Sequence, residues 1–580
     1  MERKTVSRRT FLAKAIIASG GIILSSHVVA CVRDFEGEDD DGPADRIPRF
    51  LHGVGSFDPT ATAVIIWTRF TPVETEVGFS IPIRWQVATD EGFTHIVKQG
   101  VEQTSSSDDF TVVKDVTGLS PNGKYYYRFL HDTLSEESVI GETITLPLAG
   151  DAVSSIKLAV CSCSNFPAGL FNVYDAMAKS DADVIVHLGD YIYEYEEGGF
   201  GTNENTEALG RVHDPKTEIL SLEDYRLRYR QYRTDEALQL AHQKKPFIAV
   251  WDDHELTNDA NISGAENHDD SEGSFEARRD RAIQVYSEYV PVRTSDRNII
   301  YRNFEFGDLV NLVMLDTRII ARSPQLSFTD FFEADGSFDF VGFQTALFDP
   351  NRNLIGPEQL SWVGGAIGTS SAQWQVLGQQ VLMGTMTVPA DLLVSIGAIA
   401  AGNTSPEVIQ QLQQLIVELS TIKARSLAGD PTLTEEELAR INTVLPYNLD
   451  AWDGYPLERE RLYALLNGKN VAVLAGDTHN AWNSDLKDAN GSIIGEEFAC
   501  PGVTSPGFEG LFGNDAATIA GIEQAFVLFI DNLKYFDASR RGYVLAEFTQ
   551  GTARASYRFV DTIASTAYNE FEGNNAVFMV

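Results

Sequence analysis

"PFIAVWDDHELTND", residues 246–259, is the stretch on which the reading of this chain turns. Residues 246–250 are apolar and read as a buried strand. Two adjacent aspartates, a histidine and a glutamate follow at once. Buried carboxylates side by side repel one another, and burial makes the repulsion worse. Something must neutralise them, and a multivalent cation would do so.

The same texture recurs along the chain. "SIKLAVCSCSN" is an apolar run ending at Cys163 and Asn165, and "DVIVHLGDYIYE" ends at Asp190, Tyr193 and Glu194. "LVNLVMLDTR" ends at Asp316 and Arg318, "WQVLGQQVLMG" carries Gln379 and Gln380, and "NVAVLAGDTHNAW" ends at Asp477 and His479. Each fragment alone has a plain structural reading. The Gly-Asp pairs suit strand-end turns or helix caps, His254 suits a satisfied core histidine, and Tyr193 suits packing. Taken together, six apolar runs emerging into Cys, Tyr, His and paired Asp go beyond what caps need. In open α/β sheets the site lies beyond the carboxyl ends of the strands, so these groups can converge there.

The alternation of such runs with helical segments at 222–242 and 274–288 predicts an α/β region from about residue 148 to the end. Before it, residues 47–147 carry "TAVIIWTRF", "IPIRWQVAT" and "KYYYRFLHD", short runs rich in β-branched and aromatic residues. That predicts an all-β, immunoglobulin- or fibronectin-like sandwich. Residues 390–445 read as a helical insertion, with Ser405 and Thr434 as N-caps. It reads equally as a lid or as a plain hairpin.

The N-terminus reads as an address. Ser7-Arg8-Arg9-Thr10-Phe11-Leu12 precedes an apolar, small-residue stretch at 15–30, the twin-arginine export pattern. Ser19, Gly20, Gly21, Ser25, Ser26 and His27 interrupt the stretch, which is short for a membrane span. Val28-Val29-Ala30-Cys31 is similar to a lipobox, so residues 1–31 are expected to direct export and Cys31 to carry a lipid anchor. An acidic linker at 32–46 follows.

Bulk composition reads first as solubility, and second as a supply of carboxylates for hard cations. The 580 residues carry 45 Lys and Arg against 83 Asp and Glu, a formal charge of −38. Nucleic acid is excluded as a partner, since its phosphates would be repelled. The cysteines are Cys31, Cys161, Cys163 and Cys500, which is no disulfide framework.

Carboxylates at strand ends around adjacent cations suit phosphoryl transfer, because cations bind phosphate and acidify a water. Asp190 is then the natural bridging ligand. His254 donates a proton to the leaving oxygen or stabilises equatorial charge, and Arg318 grips a phosphate oxygen. A serine hydrolase is disfavoured, since no Gly-x-Ser-x-Gly elbow lies near these strands.

In these motifs the chain resembles PhoD-like alkaline phosphatases. "GDYIYE" (189–194), "WDDHE" (251–255), "DTR" (316–318), "DAWDGYP" (450–456) and "GDTH" (476–479) occur in that family's order. "GVGSFDPTATAVIIWTR" (53–69) is similar to its N-terminal domain. The resemblance spans roughly residues 47–580. It implies a calcineurin-like metallophosphoesterase sandwich related to purple acid phosphatases, acting on phosphate monoesters with some diesterase activity.

The resemblance also implies Fe³⁺ with Ca²⁺. Cys163, Asp190, Tyr193 and His479 would hold the iron, and Asp190 would bridge to calcium held by Asp253 and Asp477. Gln380 would stand where relatives carry another ligand, and Asp252 would ligate or support. Ser162-Cys163-Ser164-Asn165 fits the family pattern, which selects Cys163 over Cys161. The division suits the ions, as Fe³⁺ favours thiolate and phenolate donors and Ca²⁺ takes oxygens. The expected protein is an exported, monomeric phosphatase. A phosphodiesterase acting on nucleotides, phospholipids or wall polymers and a calcium-stabilised surface binding protein are its rivals.

Overall fold

The strand expected before the doubled aspartate forms over Phe247–Ala249 and lies in the middle of a nine-stranded mixed sheet. The computed structural model describes residues 49–580 apart from 334–336, 401–404 and 513–514. The export signal, the lipobox at Cys31 and the acidic linker therefore lie outside the described residues.

In the first sheet, Val184–His187 pairs in parallel with Ser155–Cys161 on one side and with Phe247–Ala249 on the other. Antiparallel strands Arg541–Thr549, Thr552–Val560 and Glu570–Met579 extend it at one edge. A second, seven-stranded sheet has Val310–Met314, Trp374–Gly378 and Val471–Ala475 in parallel at its centre.

Period-two alternation sorts the second sheet's side chains between two cores. Val310, Leu312 and Met314, with Trp374, Val376, Ala472 and Leu474, join the core shared with the first sheet. Val313, Leu315, Leu377, Val473 and Ala475 face the other way, into a core covered by helices. Strands buried on both faces read as continuous apolar runs, which is why these segments stood out in the sequence.

The expected strands of the N-terminal region form as Ala63–Arg69, Ile81–Ala88 and Lys124–His131. They do not all stay in a separate body. Val54–Phe57 pairs in parallel with Phe247–Ala249, and Ala63–Arg69 and Thr111–Thr117 follow it outward, so three N-terminal strands complete the nine-stranded sheet. The remaining strands form a five-stranded sheet, and one apolar core joins Val64, Ile66 and Val112 to Ile83, Trp85 and Tyr127.

The helical stretch at 222–242 is two helices, Leu222–Tyr232 and Glu236–Lys244. The first ends at its C-cap Arg233, and Asp235 caps the second, its side chain accepting from the backbone N–H groups of Ala237 and Leu238. The insertion forms helices Ala390–Ala400, Pro406–Leu427 and Glu435–Asn442, closed at its neck by the ribbon Thr387–Pro389 with Val444–Pro446. Ser405 and Thr434 cap as expected. Leu412, Leu419 and Ile422 are buried in the helix-covered core.

Candidate metal centre

The carboxyl ends of both parallel strand sets meet at one rim, and there the expected residues come together. Donor atoms of Cys163, Asp190 and His479 lie within 4.8 Å of one another, as do those of Asp190, Asp253 and His254, and those of Asp252, Asp253 and Asp477. Asp190 belongs to two of these groups and Asp253 to two. The groups therefore chain into one extended cluster, with Asp190 between a sulfur- and nitrogen-bearing end and an all-oxygen end.

Local backbone geometry projects these side chains. Cys163, Asp190, Asp477 and His479 all have positive φ, between 56° and 68°. Non-glycine residues rarely adopt this region, and strain of this kind gathers at functional sites. Gly189 sits at φ 105°, and a Cβ there would fall 2.4 Å from the Cβ of Asp252. Only glycine lets the Asp190 loop press against the Asp252–Asp253 loop.

Hydrogen bonds fix the donors. The Pro506 carbonyl lies 2.9 Å from His479 Nδ1 and can only accept, so Nδ1 carries the proton. Nε2 is left as the basic nitrogen, 3.2 Å from the Tyr193 hydroxyl. Tyr193 donates to Asp190 Oδ2 at 3.1 Å and accepts from Ser505 Oγ at 2.6 Å. Glu255 accepts from the backbone N–H groups of Asp190, Tyr191 and Asp252, tying two ligand loops together.

His254 stands apart from the others in its partner. Its Nδ1 is 2.7 Å from Glu194 Oε2, and Glu194 Oε1 accepts from Asn258 N and Asn267 Nδ2. Burial disfavours the charged ring, but Glu194, Asp253 and Asp190 outweigh it and raise His254 to about 10. Burial likewise opposes ionisation of Glu194, yet its contact with His254 holds it below the ordinary carboxylate range.

The donor set fits a bound cation. Burial, then the charge of Asp190, pushes the Cys163 thiol well above its usual range. A cation beside it is what would turn this thiol into a thiolate ligand. Asp190, Asp252, Asp253 and Asp477 are all buried, and Arg318 reaches only part of that charge.

Two expected residues have other work. Arg318 is fully buried and was expected to grip phosphate. Its Nε donates to Asp252, its two terminal nitrogens grip Asp450 at 2.9 Å each, and one of these also donates to Asp477 at 3.2 Å. Its donors are committed to carboxylates, so it holds the acidic cluster together. Gln380 was expected among the ligands. Its Oε1 accepts from Thr317 N and Oγ1, and its Nε2 donates to the carbonyls of Trp251 and Leu315. Both ends of the amide are engaged in joining three strand ends. Asp252 lies in the all-oxygen group while accepting from Arg318. Cys161 packs inside its strand, fully buried.

Glu194, Glu255, Asp450 and Ser505 have roles that sequence reading did not assign. The first three lie inside quoted motifs, where a carboxylate's role as holder cannot be told from that of a ligand. Ser505 has no local signal, since it reaches the site only through the fold.

Comparison with known proteins identifies the family. The PhoD-like phosphatase model matches residues 158–557, and the model of the PhoD-like phosphatase N-terminal domain matches residues 38–147. Alkaline phosphatase D of Bacillus subtilis (strain 168) is 33% identical over 526 residues, 88% of this chain and 77% of that protein. The solved structure of PhoD superposes with a TM-score of 0.72 at 30% identity, covering 93% of this chain and 91% of that one. A purple acid phosphatase of yellow lupin (Lupinus luteus) superposes with a TM-score of 0.47 at 11% identity over 87% of this chain and 71% of that one. By sequence along most of its length and by fold, the chain belongs to the PhoD-like phosphatase family.

Proposed function

We propose that this phosphatase hydrolyses phosphate monoesters at an iron and calcium centre, outside the cell's inner compartment. The chained cluster supports this reading most. Cys163, Asp190, Tyr193 and His479 bring sulfur, oxygen and nitrogen donors together, as Fe³⁺ favours, and Asp190, Asp252, Asp253 and Asp477 bring oxygen alone, as Ca²⁺ requires.

When bound, the cations supply positive charge for the phosphate and acidify a water. The chain's own residues do the rest. Glu255 holds the Asp190 loop in place through the backbone N–H groups of Asp190 and Tyr191. Arg318 and Asp450 keep Asp252 and Asp477 turned inward. His254, kept protonated by Glu194, gives its proton to the leaving alcohol oxygen.

Metal analysis and a visible spectrum of the purified protein test the centre. A phenolate on Fe³⁺ gives a charge-transfer band, which Tyr193→Phe removes. A fully loaded, active sample with neither iron nor colour overturns the iron assignment. Rates on mono- and bis-p-nitrophenyl phosphate decide between monoesterase and diesterase. Export and anchoring are part of the proposal, and the mass of the mature protein tests them. A chain beginning at an acylated Cys31 is expected, and one retaining residues 1–30 overturns it. Light scattering at a monomer's mass is expected for the purified body.

A further inference from the structure

The centre is closed on most sides. Cys163, Asp190, Tyr193 and Asp253 are fully buried, Asp252, His254 and Asp477 are 1% exposed, and His479 is 9% exposed. At the edge of the centre stand two half-buried aromatic residues, Tyr195 and Phe200. The Phe200 ring is 5.7 Å from that of His479 and nearly parallel to it, and 6.0 Å from those of Tyr193 and Tyr195. The Tyr195 ring is 5.4 Å from His254. The pair thus borders both a metal donor and the proposed acid, on the side where the site keeps some exposure.

We propose that Tyr195 and Phe200 form an aromatic wall that receives the leaving group, so that phosphate esters of aromatic or other planar alcohols are preferred to those of small alkyl alcohols. This rests on the phosphatase reading of the centre and names its substrate class. Aromatic faces take planar partners in offset or edge-on contact, a gain that a methyl group cannot match.

The wall is tied to the centre. Asn165, two residues beyond Cys163, donates from Nδ2 to the Phe200 carbonyl at 3.0 Å. Gly201 follows at φ 90°, and a Cβ there would fall 2.1 Å from Asn165 Oδ1. Only glycine lets the backbone behind Phe200 press onto the Cys163 loop. The Tyr195 carbonyl accepts from Arg228 at 3.1 Å and from His213 Nδ1 at 2.9 Å. Both rings therefore project from fixed backbone, and little ordering cost falls on binding.

Calorimetric titration of the metal-loaded protein with phenylphosphonate and methylphosphonate tests the wall without chemistry, since neither has an ester to cleave. The wild type is expected to bind the phenyl compound about 2- to 12-fold more tightly. Phe200→Leu and Tyr195→Leu are each expected to bring that ratio toward one, while Phe200→Trp keeps it. A wild-type ratio of one overturns the proposal, as do leucine variants that keep the wild-type ratio. If neither phosphonate binds and p-nitrophenyl phosphate is not turned over, the phosphatase reading fails and the wall with it.

Discussion

The proposed role of His254 as proton donor in alkaline solution leans on three carboxylates, of which Glu194 contributes most. Alone, a buried imidazole would lose its proton well below neutrality. The Glu194 carboxylate at 2.7 Å, with Asp253 and Asp190, reverses this, and the ring is raised to about 10. Glu194→Gln removes the largest charge supporting the imidazolium. His254 then loses its proton at lower pH, and the alkaline limb of kcat is expected to move down by about one unit or more. A pH–rate profile of the variant checks this, and an unmoved limb removes His254 from the role of acid. At this scale the sequence was a good guide to residue type and a poor one to occupation. Cys163, Asp190, Tyr193, Asp253, Asp477 and His479 converge as read. Gln380 and Arg318 are engaged by strand-end backbone and by carboxylates, because donors and acceptors are assigned by neighbours that only the fold supplies.

At the scale of elements, the centre is a set of strand-end loops held at fixed separation. Glu255 joins the loops bearing Asp190 and Asp252 through backbone N–H groups. Glu255→Gln keeps the shape but replaces one acceptor with a donor, which must face a backbone N–H. A loss of about 2 kcal/mol or more is expected, from an unsatisfied buried group. Thermal melting and metal content check it together, since loosened loops should also lower metal retention. Strand runs, helix caps at Ser405 and Thr434, and the helix Phe275–Tyr289 were all readable from local pattern. The break between Tyr232 and Glu236 was harder to read, because no Gly or Pro marks it and only the cap type of Asp235 hints at it.

At the scale of the molecule, stability should follow both metal and pH. Removing the ions leaves Asp190, Asp252, Asp253 and Asp477 buried together, with Arg318 the cation in contact with three of them. Chelation is expected to lower the unfolding free energy by about 3 kcal/mol or more, recovered on adding metal back, as denaturant titrations will show. A separate pH effect comes from Glu497, which accepts from Met383 N and Gly384 N beneath the helix-covered core. Burial raises its carboxyl from 4.5 to about 7. Below the lower value both folded and unfolded chains hold the proton. Between the two values only the folded chain does, and above the higher one neither does. Its contribution is therefore full in acid and is lost as pH rises through that window, by about 3 kcal/mol. Urea midpoints across the window should fall less steeply for Glu497→Gln than for the wild type.

The sequence by itself determined the strands, because segments buried on both faces must be apolar throughout. It also determined the chemistry at their ends, because charge directly after such a run needs a partner. Only the tertiary structure decided which partner each charge has. Two sheets bring Asp190, Asp253 and Asp477 to one rim from positions 63 and 224 residues apart along the chain (190 to 253, and 253 to 477). The same packing sends Arg318 to the carboxylates rather than outward. It also makes the N-terminal region part of the catalytic sheet through Phe57 and Phe247. Backbone pairing between distant strands depends on register and packing, which no local stretch of sequence contains.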